Sequence, residues 1–237
     1  MCPLPIRPFL PWRSVEYRDD EMSLVVAVRD AQEIVMACDG RVLAEDLSVM
    51  VDDAPKTLAL NAELCIGLAG PTDALRHVLT SLGLRCRGAH PADLLQSCQA
   101  RCPIDIGYED ARAEVVGVLR WLSRRVAPPD RVGRIPSVLL GGRRADSPAL
   151  AAWQSPLWIA EENALAGRHS ASVGQVPPCG SRELAAFREA VTGERPTEDR
   201  LAQAVRICAR YFGPDGPIGG IVFVRRLSQG FSLARAA

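Results

Sequence analysis

The residues from Met22 to Gly70 constrain the fold of this chain more than any other stretch. They read as short β-branched and apolar runs, Leu24 to Val28, Ile34 to Cys38, Val42 to Met50 and Leu64 to Ala69, separated by Asp, Gly, Asn and Pro. Runs of that length bounded by turn residues predict a meander of antiparallel strands. The ends of the runs carry reactive groups. Ser23 opens the first, Asp39-Gly40 closes the second, a lone Lys56 precedes the next, and Gly67-Leu68-Ala69-Gly70 closes the sheet. Serine, aspartate, lysine and a glycine amide are the groups needed to attack a carbonyl and hold the resulting oxyanion.

Past Gly70 the apolar period changes from two to that of a helix. Leu75, Val78, Leu79 and Leu82 follow helical spacing behind Pro71-Thr72-Asp73. A second helical stretch begins near Pro91 and breaks at Pro103, and a third runs from Tyr108 to Val126. Strands are expected to return at Ile135 to Leu140, Leu157 to Ala160 and Arg168 to Gly174. Two more helices follow, one from Ser181 to Gly193 and one with Thr197 as N-cap and Glu198-Asp199 in its first turn, where negative charge is favoured. Ile218 to Val224 and Phe231 to Ala234 close the chain as strands. This order allows two antiparallel sheets packed face to face with helices outside each, and equally other α+β layouts.

Ser23, Asp39-Gly40-Arg41, Lys56 and Gly67 to Gly70 together resemble the N-terminal half of proteasome β-subunits and HslV-type peptidases, which are N-terminal-nucleophile hydrolases. The resemblance implies a four-layer αββα sandwich over residues 23–237. It implies Ser23 as nucleophile in place of the usual Thr, Asp39 as the aspartate, Lys56 as the lysine with one extra residue in between, and Gly70 as the oxyanion glycine. By the same alignment Val42, Ala54, Leu58, Leu68 and Thr72 line the pocket for the residue before the cut. None of these is charged, so cleavage after hydrophobic residues is expected. Arg41 matches a supporting position. The helical stretch after Gly70 is longer than the family's, so an insertion is expected there.

The second half departs from the pattern. Gly174-Gln175-Val176 stands where the family has a Ser-Gly turn, with Ser172 the nearby hydroxyl on the same strand, and Asp215 and Gly219 keep the later spacing while Ile218 occupies its serine position. In the family those hydroxyls help to place the nucleophile's amine. The resemblance further implies a homo-oligomeric ring, a peptide or unfolded-protein substrate and a partner ATPase that unfolds it. Two rivals stay open: a ring subunit that has lost turnover, and an amidohydrolase of the same superfamily acting on small amides.

Composition bears on what else the chain could do. Lys and Arg total 28 against 28 Asp and Glu, which favours neither nucleic acid nor an anionic membrane as partner. No apolar run approaches the ~18 residues of a membrane span, so a soluble, cytoplasmic protein is expected. The eight cysteines are scattered and read as small core residues in a reducing compartment. Cys98 and Cys102 share a helix face but lack the partners of a zinc site, and no metal or other cofactor is expected. Gly141-Gly142-Arg143-Arg144 lacks the spacing of a phosphate loop, and His77, His90 and His169 are too dispersed to form a site.

Residues 1–22 carry prolines at 3, 5, 8 and 11, which forbid the helical core of a secretory signal. Their chemical importance lies in the amine of Ser23, which must be free to take the proton of its own hydroxyl. Either residues 1–22 are a propeptide removed by self-cleavage, or Met22 is the true initiator and its removal exposes Ser23; the second is the preferred expectation.

Overall fold

The computed structural model describes residues 23–30, 32–44, 48–88, 91–126, 134–145, 147–154, 169–193, 198–227 and 231–236. The extension before Ser23, the expected strand at Leu157 to Ala160 and the Thr197 cap lie outside the described residues. The described elements run β1 (Leu24–Arg29), β2 (Ile34–Cys38), β3 (Val42–Leu43), β4 (Val49–Val51), β5 (Thr57–Asn61), β6 (Leu64–Ala69), α1 (Thr72–Ser81), α2 (Pro91–Gln99), α3 (Tyr108–Arg125), β7 (Ser137–Arg144), β8 (Ser147–Trp153), β9 (His169–Gly174), α4 (Arg182–Thr192), α5 (Glu198–Phe212), β10 (Val222–Leu227) and β11 (Phe231–Ala236). The fold is mixed α+β with antiparallel sheets. One sheet has the order β11-β10-β2-β1-β9, another β5-β6-β7-β8, and β3 and β4 form a small hairpin.

Alternation along the strands decides what each face meets. In β1 and β2, Leu24, Val26, Val28, Val35 and Ala37 pack with residues of α4 and α5 such as Leu184, Phe187 and Val205. In β6 and β7, Leu64, Ile66, Leu68, Val138 and Leu140 pack with α1, α2 and α3 through Leu75, Leu79, Leu94 and Val115. The intervening positions, Val25, Ala27, Ile34 and Met36 from one sheet and Cys65, Ala69, Leu139 and Leu150 from the other, pack against each other. Strands buried on both faces explain the unbroken burial of β1, β2 and β6. The close approach needs glycine at position 67, where a Cβ would lie 2.6 Å from Val25 Cγ1.

Several expected boundaries shift. The run from Val42 to Met50 is two short strands joined by Ala44 N–H donating to the Ser48 carbonyl at 2.9 Å. The strand expected at Ile135 to Leu140 starts at Ser137 and continues through Gly141-Gly142 to Arg144. The strand expected from Ile218 starts at Val222, because the backbone from Gly213 to Ile221 is spent as a loop on other partners described below. The helix behind Ser181 begins as expected, with the Ser181 side chain accepting from Leu184 N–H at 3.0 Å.

The cysteine expectation also needs correction. Cys86 and Cys98 form a disulfide with their Cα atoms 5.2 Å apart, tying the segment after α1 to α2, while Cys38, Cys65 and Cys208 are free, buried thiols. Cys98 and Cys102 do not share a helix face, because α2 ends at Gln99 and Cys102 lies beyond it, its Sγ–H donating to the Cys98 carbonyl at 3.4 Å. Among the described residues no helix is long and apolar enough to cross a membrane, and no three His, Cys, Asp or Glu side chains cluster as metal ligands do.

Candidate active site

The site is built where β1 begins and β2 ends. Antiparallel pairing of the two strands matches Val25 with Cys38, so the residue before β1 and the residue after β2 are brought together at one end of the sheet. Asp39 is completely buried, and three donors account for its orientation. Its Oδ1 accepts from the backbone N–H of Leu24 at 2.8 Å, and its Oδ2 accepts from Lys56 Nζ at 2.7 Å and from Arg41 N–H at 3.2 Å. The amide on Oδ1 belongs to the residue directly after Ser23.

Lys56 is as deeply placed, with its side chain 5% exposed. Its position is fixed through its backbone: the carbonyl accepts from Leu68 N–H at 2.9 Å, and the N–H donates to Cys38 Sγ at 3.3 Å. Gly40 follows Asp39 because a Cβ there would lie 2.7 Å from the carbonyl oxygens of Asp52 and Ile221. Burial pushes the Asp39 carboxyl above its ordinary range, against the opposite pull of Lys56 and of the Leu24 and Arg41 amides. Burial likewise pushes the Cys38 thiol up to about 11, so it is a neutral neighbour of the pair.

Ser23 is partly buried and directly precedes the Leu24 amide that Asp39 binds. Its carbonyl accepts from Gln175 N–H at 3.0 Å, so the residue is gripped by β9 on one side and, through the Leu24 amide, by Asp39 on the other. Gly70 ends β6 with φ +132°, a conformation that favours glycine, and a Cβ there would lie 3.0 Å from Pro136 Cα.

Arg41 turns away from Asp39. Its guanidinium binds both carboxylate oxygens of Asp52, Nε to Oδ1 at 2.7 Å and Nη2 to Oδ2 at 3.3 Å, and its Nη1 donates to the carbonyls of Pro214 and Gly216. The Gly219 carbonyl accepts from the N–H groups of Gly40 and Arg41, each at 3.1 Å, and Ile221 N–H donates to the Asp52 carbonyl at 2.7 Å. The loop from 213 to 221 is thus clipped onto the Asp39-Gly40-Arg41 turn. Asp215 takes part only through its charge on Arg41, the smallest of the influences that hold that guanidinium protonated. Ile218 is fully buried in the α4 and α5 core.

The remaining expected residues divide. Val42 and Ala54 lie beside the turn, Ala54 N–H donating to the Gly40 carbonyl at 3.0 Å, and Thr72 opens α1 two residues after Gly70. Leu58 and Leu68 are each 1% exposed and packed into the core with α1. Ser172 pairs with Val26 and so shares the face turned toward α4 and α5, not the face of Val25 and Val173 that continues toward Ser23.

Asp52, Cys38 and Gln175 join the site without having been expected. Asp-Asp-Ala-Pro after the hairpin gives no local sign that Asp52 meets Arg41, and Gln175 is placed by pairing between β1 and β9, far apart in the chain. No family model matches this chain, and no curated protein matches its sequence.

Proposed function

We propose that the chain is a proteasome-like peptidase subunit with the four-layer αββα sandwich of the N-terminal-nucleophile hydrolases, acting through the hydroxyl and free amine of Ser23. The observation that carries the reading is the bridge made by Asp39, which holds a buried lysine on one oxygen and the amide following Ser23 on the other. Asp39 and Lys56 are far apart in sequence, and a purely structural aspartate at a hairpin turn has no need of a buried ammonium, since burying the pair costs desolvation at both ends.

In this reading the Ser23 Oγ attacks a peptide carbonyl and its proton passes to the Ser23 amine. The Gly70 N–H donates to the tetrahedral oxyanion, the amine then protonates the leaving nitrogen, and water hydrolyses the ester left on Ser23. Lys56, whose Nζ is held 2.7 Å from Asp39 Oδ2, supplies the positive field that lowers the cost of forming the alkoxide. Val42, Ala54 and Thr72, uncharged and beside the turn or at the start of α1, face the preceding substrate residue, so cleavage follows hydrophobic residues, while Leu58 and Leu68 belong to the core under α1 and only back this surface. The subunit works without a cofactor, in a ring fed with unfolded protein by an ATPase.

The test is a chain that begins at Ser23, treated with a peptide epoxyketone and analysed by intact and peptide mass. One covalent adduct at Ser23 and turnover of fluorogenic peptides with apolar residues before the cut are expected. A second reading, a ring subunit without turnover, is favoured by the burial of Ile218 at the position of a family serine; a correctly started chain that takes no adduct supports it.

A further inference from the structure

We propose that Gln175 is the positioning residue for the amino group of Ser23, its side-chain carbonyl accepting a hydrogen bond that becomes available only in a chain beginning at Ser23. The inference rests on the reading of Ser23 as an amino-terminal nucleophile. It starts from an anomaly: Gln175 is 6% exposed, and its Oε1 is buried with no hydrogen-bond partner. Buried acceptors are almost always satisfied, and an orphan calls for a missing donor.

The register says where that donor is. Leu24 pairs with Gly174 and Val25 with Val173, so one further step sets Ser23 opposite Gln175, and Gln175 N–H donates to the Ser23 carbonyl at 3.0 Å. Opposed residues of an antiparallel pair stand about 5 Å apart, within reach of a glutamine side chain. The approach is built into the sequence. Gly174 has φ +95°, and a Cβ on it would overlap the Ser23 carbonyl oxygen. On the other side the Gly174 carbonyl accepts from Gln154 Nε2 at 3.3 Å.

When residue 22 is present the Ser23 nitrogen is an amide with a single N–H. When the chain begins at Ser23 the same nitrogen carries two or three, so a donor appears beside the orphan. A bond to Gln175 takes one N–H, stops rotation about N–Cα and leaves the lone pair free to face Oγ. The acceptor's neutrality matters, because a carboxylate there would hold the amine protonated and stop it acting as a base at neutral pH.

The experiment compares Gln175→Met and Gln175→Glu in two forms, the chain beginning at Ser23 and the full chain of 237 residues. Gln175→Met is expected to lower Tm in the first form and to leave it unchanged or raise it in the second, where it removes only an orphan. With an apolar fluorogenic peptide it should lower kcat about 10- to 100-fold with KM within about twofold. Gln175→Glu, which keeps the shape, should move the acidic limb of the pH profile of kcat/KM upward by about one unit or more. Equal changes of Tm in both forms, or an acidic limb that Gln175→Glu does not move, overturn the assignment. A wild-type chain beginning at Ser23 that takes no adduct, with the form-dependent Tm effect intact, would instead remove the peptidase reading and leave the contact between Gln175 and the amine standing.

Discussion

Two ion pairs flank the same turn, with the same separation of 2.7 Å between nitrogen and oxygen, and they are different objects. On one side of Gly40, Lys56 meets Asp39 with side-chain exposures of 5% and 0%. On the other, Arg41 meets Asp52 with exposures of 10% and 47%. A half-exposed aspartate gives up little hydration, and its pair with a forked guanidinium serves to hold the carbonyls of Pro214 and Gly216 in place. A pair with both charges removed from water loses several kcal/mol of hydration per ion, which mutual attraction only repays in good geometry. Distance alone would rank the two as equals. Burial separates a clip that fixes a loop from a charge kept where solvent cannot reach it, and the second arrangement is the kind that prepares a site for chemistry.

The comparison is broken most forcefully at Lys56. Lys56→Met removes one partner and leaves Asp39 buried against only the Leu24 and Arg41 amides, and urea unfolding should show a loss of about 3–5 kcal/mol. The double variant Lys56→Met with Asp39→Leu should recover much of that loss, since replacing a whole buried pair by apolar groups is often neutral. Neither variant should take an adduct at Ser23. A double variant as unstable as the single one would mean that the pair holds the fold together and is not a costly feature kept for chemistry.

The buried side of the turn should also respond to alkali. Cys38, whose Sγ accepts from the Lys56 N–H, is raised by burial from 9.0 to about 11. The unfolded chain releases this proton first, so the stability it reflects is fully present below pH 9.0 and is lost as pH rises toward about 11, where the native thiol begins to ionise too. A shift of that size corresponds to about 2–3 kcal/mol. Cys65 and Cys208 are raised to about 12 in the same sense, so wild type should lose stability steeply over this range. Urea unfolding at intervals from pH 8 to 11 should show a slope in Cys38→Ala that is shallower by about one proton's worth; equal slopes would mean that Cys38 is already ionised or solvated.

Much of this was legible before any coordinates. Doubly buried strands such as β1, β2 and β6 announce themselves as unbroken apolar runs, and the resemblance carried by Ser23, Asp39 and Lys56 pointed to a carboxylate and an ammonium that the fold brings together at 2.7 Å. Other elements lacked a local signature. β8 begins Ser147-Pro148 and is rich in alanine, and the turn before it is made by Ala145 at φ +52°, where a glycine or asparagine would have given the hairpin away. The delayed start of β10 follows from Gly219, where a Cβ would lie 2.6 Å from Arg41 Cζ, so the glycine serves a distant guanidinium and not the strand. The disulfide, the Asp52 contact and the place of Gln175 all depend on pairing between segments remote in sequence. Ser172 has the right chemistry on the wrong face of β9, which no count of residues reveals until the register is known.

The smallest effect belongs to the exposed pair, and it sharpens the contrast because its sign and its salt dependence are both fixed. Asp52→Asn keeps an acceptor for the Arg41 guanidinium and removes one charge that is half in water. The loss should be under about 1 kcal/mol, in the range of exposed pairs. Raising the ionic strength from 0.05 to about 1 M shortens the screening length to about 3 Å, so the difference between Asp52→Asn and wild type should fade, while the loss in Lys56→Met, screened from solvent, should persist. Amide exchange reports the same division locally: the Ile221 amide, bonded to the Asp52 backbone carbonyl and not to its side chain, should keep its protection in Asp52→Asn even as Arg41 loosens. If Ile221 exchanges much faster in that variant, the carboxylate carries the loop by itself, and the two pairs are closer in importance than their burial implies.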